Sequence, residues 1–277
     1  MKDIKLIAFD LDGTLMTTDK RITQRTYNAL KAASDKGVAI VPATGRFLRT
    51  VPQEIKDMPF VDYIISINGA YVFDVRNEKA IYRSEIPLQT SIDILSYFDS
   101  LPVAYDCYMD NDSFINSEMK DHIDEYVEDR FYLDMVWKFR NPVSELKKYL
   151  LEQKKDVQKI MAYTKDQRIR KMLMSELESK FEGIIVTSSI KNNIEINASG
   201  ANKGDALKAL ADCIGIDIEQ TMSFGDSYND IPMIREAGTG VCMSNGNAET
   251  KGSADIIAPS NDEDGVADII EKNILMH

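Results

Sequence analysis

Four apolar residues, Leu6-Ile7-Ala8-Phe9, run straight into Asp10-Leu11-Asp12-Gly13-Thr14. So short and sharply bounded a run reads as a buried parallel strand opening into a loop. In an open α/β sheet the crevice beyond the carboxyl ends of the strands is where ligands bind, so Asp10 and Asp12 are expected at its mouth. Gly13 permits a turn that a residue with a Cβ would resist. Converging carboxylates repel each other and need a cation nearby. A helix-loop-helix calcium site would require Glu at the twelfth position from Asp10, where this chain has Arg21, and that reading fails. A plain solvated turn stays open at this point.

The pattern repeats along the chain. Thr23 is placed to cap a helix through Tyr27, Leu30 and Ala33 that stops at Gly37. Val38 to Val41 is a second strand, ending in Pro42-Ala43-Thr44-Gly45-Arg46, and Tyr63 to Ile67 a third, closed by Asn68-Gly69. Alternating strands and helices predict a parallel, doubly wound, Rossmann-like sheet. From about Tyr71 a hairpin intervenes, and the segments up to about Asn193 no longer alternate simply. They read as helices over Thr90–Phe98, Met119–Glu128, Val143–Leu151 and Gln167–Phe181, with strands at Val103–Met109, Ser113–Ile115, Val157–Ala162 and Ile184–Ser188. A stretch that long with its own elements is an inserted second domain. The first pattern resumes near Ile194, with Lys203 between Gly200 and Gly204, a helix over Asp205–Cys213, a strand over Met222–Phe224, and Gly225-Asp226-Ser227-Tyr228-Asn229-Asp230. The expectation is an α/β protein with a core of 1–84 and 193–277 and an α/β cap of 85–192.

Charge and composition remove several function classes. The net charge of −12, with 45 acidic against 33 basic residues, argues against a nucleic-acid partner, which needs a basic face. Cys107, Cys213 and Cys242 are widely spaced and form no CxxC pair, as in a reducing cytosol. No signal peptide fits the acidic N-terminus and no apolar stretch has membrane length, so a cytoplasmic protein without a membrane partner is expected.

Three loops now carry polar groups: Asp10 and Asp12, Thr44 to Arg46, and Asp226 to Asp230. Lys203 is the natural cation to complete them. Gathered carboxylates need a divalent ion as well, and oxygen donors suit Mg²⁺, a combination that fits phosphoryl transfer. The sixth residues after the cysteines are Ser113, Glu219 and Ala248, so no cysteine phosphatase loop exists. His122 and His277 are expected to be surface residues, and neither GxxxxGK[ST] nor GxGxxG occurs. By elimination the nucleophile is an aspartate.

FDLDGTL, ATGR, NKG and GDSYND, in this order, resemble the four motifs of the haloacid dehalogenase-like (HAD) superfamily. The insertion, SINGAYV at Ser66–Val72 and SNDEDGVA at Ser260–Ala267 are similar to its Cof-type, class IIB sugar-phosphate phosphatases. The resemblance implies Asp10 as nucleophile forming an aspartyl-phosphate, and Asp12 as acid and then base. It implies Mg²⁺ on the Asp10 carboxylate, the Asp12 carbonyl and Asp226. Phosphoryl oxygens would meet Thr44, Gly45, Lys203 and Asn229, with Asp230 orienting Lys203 or metal-bound water. Arg46 either reaches the substrate or pairs with an acid. The substrate implied is a small phosphorylated metabolite, with a phosphohexomutase-like phosphotransferase and a non-catalytic phosphometabolite-binding regulator as alternatives. Asp106, Tyr108, Asp110, Asn111 and Lys191 are candidate selectors in the cap, though surface exposure is the ordinary expectation for such residues. The oligomeric state is left open.

Overall fold

The structure, a computed structural model, describes residues 3–188 and 191–276. His277 lies outside them. The chain divides into two compact units, one formed by the chain up to Arg46, Val51–Arg83 and everything from Asn202 on, the other by Phe47–Thr50 and Ser84–Ala201.

The first unit is built on a five-stranded parallel sheet in which Leu6–Phe9 lies between Thr221–Gly225 and Ala39–Pro42, with Thr239–Met243 and Ile256–Ala258 beyond. Leu6 to Phe9 are wholly buried because they have a strand on each side and helices on the faces. One core layer joins Leu6, Ala8 and Val41 to Leu207 and Leu210 of the Lys203–Ile214 helix and to Met233. The parallel register decides where the loops emerge. Phe9 stands opposite both Phe224 and Pro42, so Asp10, Thr44 and Asp226 all leave the sheet at its carboxyl edge. Thr23 caps the Gln24–Asp35 helix, accepting from the Thr26 amide at 3.1 Å.

The third strand departs from expectation. Tyr63–Ser66 begins a separate antiparallel sheet with Tyr71–Asp74 and Lys79–Arg83. A bridge between Ala43 and Ile65 links it to the parallel sheet. The hairpin that follows gives Tyr63–Ser66 antiparallel partners, and they capture its edge.

The second unit holds a six-stranded sheet ordered Ile184–Thr187, Asn193–Ala198, Lys159–Tyr163, Ala104–Met109, Asp112–Asn116, Asn141–Val143. Asn193–Ala198, read from sequence as the return of the first pattern, instead pairs antiparallel with both of its neighbours here. Strand alternation divides the sheet's residues. Tyr105, Cys107, Ile160, Ala162, Ile194 and Ile196 face one way, where Phe98 of the Leu88–Phe98 helix meets Tyr105 at 6.0 Å between rings. Asp106, Tyr108, Lys159, Tyr163, Asn193, Glu195 and Asn197 face the other.

Two local readings are corrected. The expected Met119–Glu128 helix is a short Ser117–Asp121 helix and a single turn. A further helix, Arg130–Phe139, starts where the Asp129 carboxylate accepts from the Tyr132 amide at 2.9 Å. The residues Asn141–Val143 form an edge strand, where Pro142 is tolerated, so the following helix begins at Leu146. His122 is exposed, as expected. Among the described residues no helix is long and apolar enough to cross a membrane.

Candidate active site

The first unit brings three carboxylates and one ammonium together from three remote segments. Asn202 caps the Lys203–Ile214 helix, its side chain accepting from the Asp205 amide at 2.9 Å. Lys203 therefore stands at the first helical position, and its fully buried side chain reaches inward. Its Nζ donates to Asp10 Oδ1 at 2.5 Å and to Asp230 Oδ1 at 2.6 Å. The other Asp230 oxygen accepts from the Asp226 and Ser227 amides, both at 3.0 Å. Asp230 thus spends both oxygens on Lys203 and on its own loop. Asp226 accepts from the Thr14 hydroxyl at 2.7 Å. The 86° φ of Gly13 is left-handed, and a Cβ there would stand 2.7 Å from Asp226 Oδ2. Glycine is required both for the turn and for the carboxylate's approach.

Electrostatics follow from this crowding. Burial pushes the Asp10 carboxyl up to about 7, and repulsion from Asp230 and Asp226 adds to that against the pull of Lys203. Burial and the nearby Asp230 raise Asp226 as well, although the Thr14 hydroxyl opposes them. Lys203 is held above its ordinary value because Asp10 and Asp230 outweigh the cost of its burial. One carboxylate oxygen from each of Asp10, Asp226 and Asp230 lies within 4.8 Å of the others. Three carboxylates against one ammonium leave negative charge in excess, and the donors are all hard oxygen. With Asp230 committed to Lys203 and to backbone amides, Asp10 and Asp226 are the donors best suited to a hard divalent cation.

Asp12 is engaged differently. Its carboxylate accepts from Arg46 Nε at 2.8 Å, from Arg46 Nη2 at 3.0 Å and from Lys20 Nζ at 2.8 Å. Partial burial alone would raise it, but Arg46 and Lys20 together hold it below the usual carboxylate range. Of the two roles open to Arg46, pairing with an acid is the one seen. Thr44 is buried, and its hydroxyl accepts from the Arg46 amide at 3.2 Å. A Cβ on Gly45 would come 2.7 Å from Asn68 Oδ1, the same atom that accepts from Asn229 Nδ2 at 3.1 Å.

Two participants escaped the sequence reading. Asn68 links the Thr44–Arg46 loop to Asn229, and its amide donates to the Thr44 carbonyl at 3.0 Å. Ile67 and Asn68 both adopt left-handed φ, 53° and 57°, which is strained for a β-branched residue. The Asn-Gly pair read as a strand terminator was the available signal. Lys20 lies outside every motif read from the sequence. A tight turn, with Lys20 N donating to Thr17 O and Thr17 N to Arg21 O, presents it to Asp12.

In the second unit, Asp110 and Lys191 are exposed, but Asp106, Tyr108 and Asn111 are buried, against expectation. For Asp106 and Tyr108 the reason is a cation remote in sequence. Arg140 Nε donates to Asp106 Oδ2 at 2.9 Å and Arg140 Nη2 donates to the Tyr108 hydroxyl at 2.7 Å.

Comparison with known proteins agrees with this architecture. The family model described as haloacid dehalogenase-like hydrolase matches residues 7–270. The chain is 32% identical over 274 residues to 5-amino-6-(5-phospho-D-ribitylamino)uracil phosphatase YcsE of Bacillus subtilis, covering 99% of this chain and 97% of that protein. A solved haloacid dehalogenase-like hydrolase from Bacteroides thetaiotaomicron superimposes with a TM-score of 0.82 at 27% identity, covering 97% of this chain and 99% of the other. The HAD subclass IIB sugar phosphatase BT4131 does so with a TM-score of 0.77 at 25% identity, covering 97% and 98%. With a family model spanning nearly its whole length, this chain belongs to the haloacid dehalogenase-like hydrolases.

Proposed function

We propose that this chain, a phosphatase of the haloacid dehalogenase-like hydrolases, cleaves small phosphate monoesters in two steps through Asp10. In the first step an Asp10 carboxylate oxygen bonds to phosphorus while the ester oxygen departs, taking a proton from Asp12. In the second a water oxygen attacks the aspartyl-phosphate, Asp12 takes the water's proton, and inorganic phosphate leaves with Asp10 restored. Lys203 neutralises charge beside Asp10 through both steps, and Asp230 holds it there. Thr44 and the Gly45 amide bind phosphoryl oxygens, and Asn229, steadied by Asn68, adds a contact. Asp10, Asp226 and the Asp12 carbonyl would hold Mg²⁺, which supplies positive charge beside the transferring phosphoryl group. Asp12 tied to Arg46 and Lys20 is ionised, the form that serves the second step. Its role as acid requires that those pairs open.

The observation that carries this reading is the convergence of Asp10, Asp226 and Lys203 at the carboxyl edge of one sheet. For the substrate, a relative is named for a phosphorylated ribityl compound and a structural neighbour for sugar phosphates. Both carry phosphate on a polyhydroxylated carbon chain, and we assign this chain the same class. The second unit would then act as a cap that selects the leaving group and excludes water. Its one cysteine, Cys107, is a free thiol like Cys213 and Cys242 of the first unit, and free thiols favour a cytoplasmic setting.

The test is phosphate release from a panel of hexose, pentose and sugar-alcohol phosphates, nucleotides and pyridoxal phosphate, using the wild type, Asp10→Asn, and wild type with EDTA. Release from the polyol esters, lost in both controls, is expected. An isomerised ester without free phosphate would mark a phosphotransferase, and binding without turnover a regulator.

A further inference from the structure

Past the strand that ends at Phe9 the chain closes on itself. The Leu15 amide donates to the Asp10 carbonyl at 3.2 Å and the Met16 amide to the Leu11 carbonyl at 2.9 Å. Two further carbonyls of this loop are taken by asparagines from the far end of the same unit. Asn245 Nδ2 donates to the Gly13 carbonyl at 2.8 Å, and Asn245 Oδ1 accepts from the Asn261 amide at 3.1 Å. The buried Asn261 side chain donates to the Met16 carbonyl at 2.9 Å. A carbonyl on one side and an N–H on the other fix which end of the Asn245 amide faces which partner. The loop that carries Asn245 also grips the neighbouring strand end. It leaves the strand Thr239–Met243 and turns where the Gly246 amide donates to the Met243 carbonyl at 2.9 Å, after which the Asn247 amide donates to the Asp226 carbonyl at 3.1 Å. A Cβ on Gly246 would stand 2.9 Å from that same Asp226 oxygen. Between these two grips the buried Thr14 hydroxyl donates to Asp226 Oδ1 at 2.7 Å. The Gly13 carbonyl belongs to the peptide bond that delivers Thr14.

We propose that Asn245 is a positioning residue for the Asp226 carboxylate: by holding the Gly13–Thr14 peptide on the same loop that holds the Asp226 backbone, it fixes the Thr14 hydroxyl against Asp226 Oδ1. A hydroxyl bonded to a carboxylate sets the direction of its oxygens, and a site that loses such an orienting partner loses affinity for its metal. The brace acts on backbone carbonyls and leaves the Asp12 carboxylate free to part from Arg46 and Lys20. Asn245 acts through Thr14 and not on the substrate. The inference rests on the reading of Asp226 as a Mg²⁺ donor.

Amide exchange and calorimetric titration with Mg²⁺ alone read the two ends of this route. Asn245→Ala is expected to accelerate exchange at Leu15 and Met16, the donors that close the loop, and to weaken Mg²⁺ binding about fivefold. Asn245→Asp is nearly isosteric and keeps the acceptor for the Asn261 amide, but it sets an oxygen against the Gly13 carbonyl and should accelerate exchange at least as much. Asn261→Ala, which gives up the Met16 contact alone, should act on exchange in the same direction, more weakly. In a double-mutant cycle, Thr14→Val should weaken Mg²⁺ binding about tenfold. Adding Asn245→Ala should then change affinity no further, because the route through Thr14 is already cut, while still accelerating exchange. Asn273→Ala removes an amide-to-carbonyl bond of the same kind, at Ile269, and should leave both readouts unaltered. Asn245 is exposed, so its variants should keep the wild-type unfolding midpoint. Unchanged exchange in Asn245→Ala, affinity losses that multiply across the cycle, or equal losses in Asn273→Ala would overturn the proposal. A wild type that takes up no Mg²⁺ overturns the reading of Asp226 as a metal donor, and the exchange measurement still decides whether Asn245 braces the loop.

Discussion

Each unit buries a cluster of ions, and the two are balanced differently. In the first, Lys203 serves Asp10 and Asp230 while Asp226 stands nearby without a buried cation of its own. In the second, Arg140 pairs with Asp106 and Lys159 with Glu195, one cation to each carboxylate. A charge-matched cluster is completed by the chain itself, and its value is in fixing neighbours. A cluster with carboxylates in excess suits a cation from outside, and in it burial, with repulsion from Asp230 and Asp226, pushes Asp10 up against the pull of Lys203. Burial with excess charge of one sign marks chemistry, whereas burial alone does not.

The comparison can be broken most forcefully at Asp10. Asp10→Asn keeps the size and hydrogen-bonding of the side chain but removes the nucleophile. Turnover should fall by at least about a thousandfold, measured as phosphate release at saturating ester. Next come the two cations. Lys203→Met and Arg140→Met each strand buried carboxylate charge and should cost about 3–5 kcal/mol in denaturant unfolding. They should differ in rescue: Mg²⁺ should recover stability in Lys203→Met, whose cluster can take a cation, and none in Arg140→Met. For the second cluster, adding Asp106→Leu to Arg140→Met should regain most of the loss, since no buried charge is then left unpaired. Equal Mg²⁺ rescue of both variants would abolish the distinction.

A subtler test uses protons. A carboxyl whose pKa is raised is protonated below that value, and a cation must displace the proton. With Asp10 at about 7, Mg²⁺ affinity should fall up to tenfold per pH unit below 7 and level off above it, as titration calorimetry would read. The smallest effect is expected at a pair that is neither buried nor catalytic. Asp99 lies in the second unit with Lys147 and the Tyr105 hydroxyl, and although its partial burial works the other way, they hold its carboxyl below the usual range. A depressed pKa adds stability above the unfolded value of about 3.9, lost as pH falls through the folded one. Asp99→Asn should therefore cost under about 1 kcal/mol at neutral pH after solvent screening, and nothing well below pH 3.

Much of the site was legible because its signals are local. A buried run ending in Asp10, a glycine three residues from a second strand end at Pro42, and Gly225-Asp226 after Phe224 each announce a strand opening into a loop. Parallel pairing then carries all three to one edge. What escaped depended on partners far along the chain. Nothing near Lys20 says that it meets Asp12, and nothing near Asp106 says that Arg140 lies against it. The third strand's pattern was indistinguishable from the first two, because a short apolar run does not name its neighbours.

The sequence by itself determined the alternation of strands and helices, the loops that carry chemistry, and which side chains could serve as nucleophile and cation. Those follow from side-chain periodicity and turn stereochemistry, which operate over a few residues. Only the tertiary structure decided that Arg46 turns to Asp12, that Asp230 gives both oxygens to Lys203 and its own loop, and that Arg140 lies against Asp106. Those choices arise where segments scores of residues apart meet, and there burial strengthens one ion pair over its rivals by an amount no local pattern encodes.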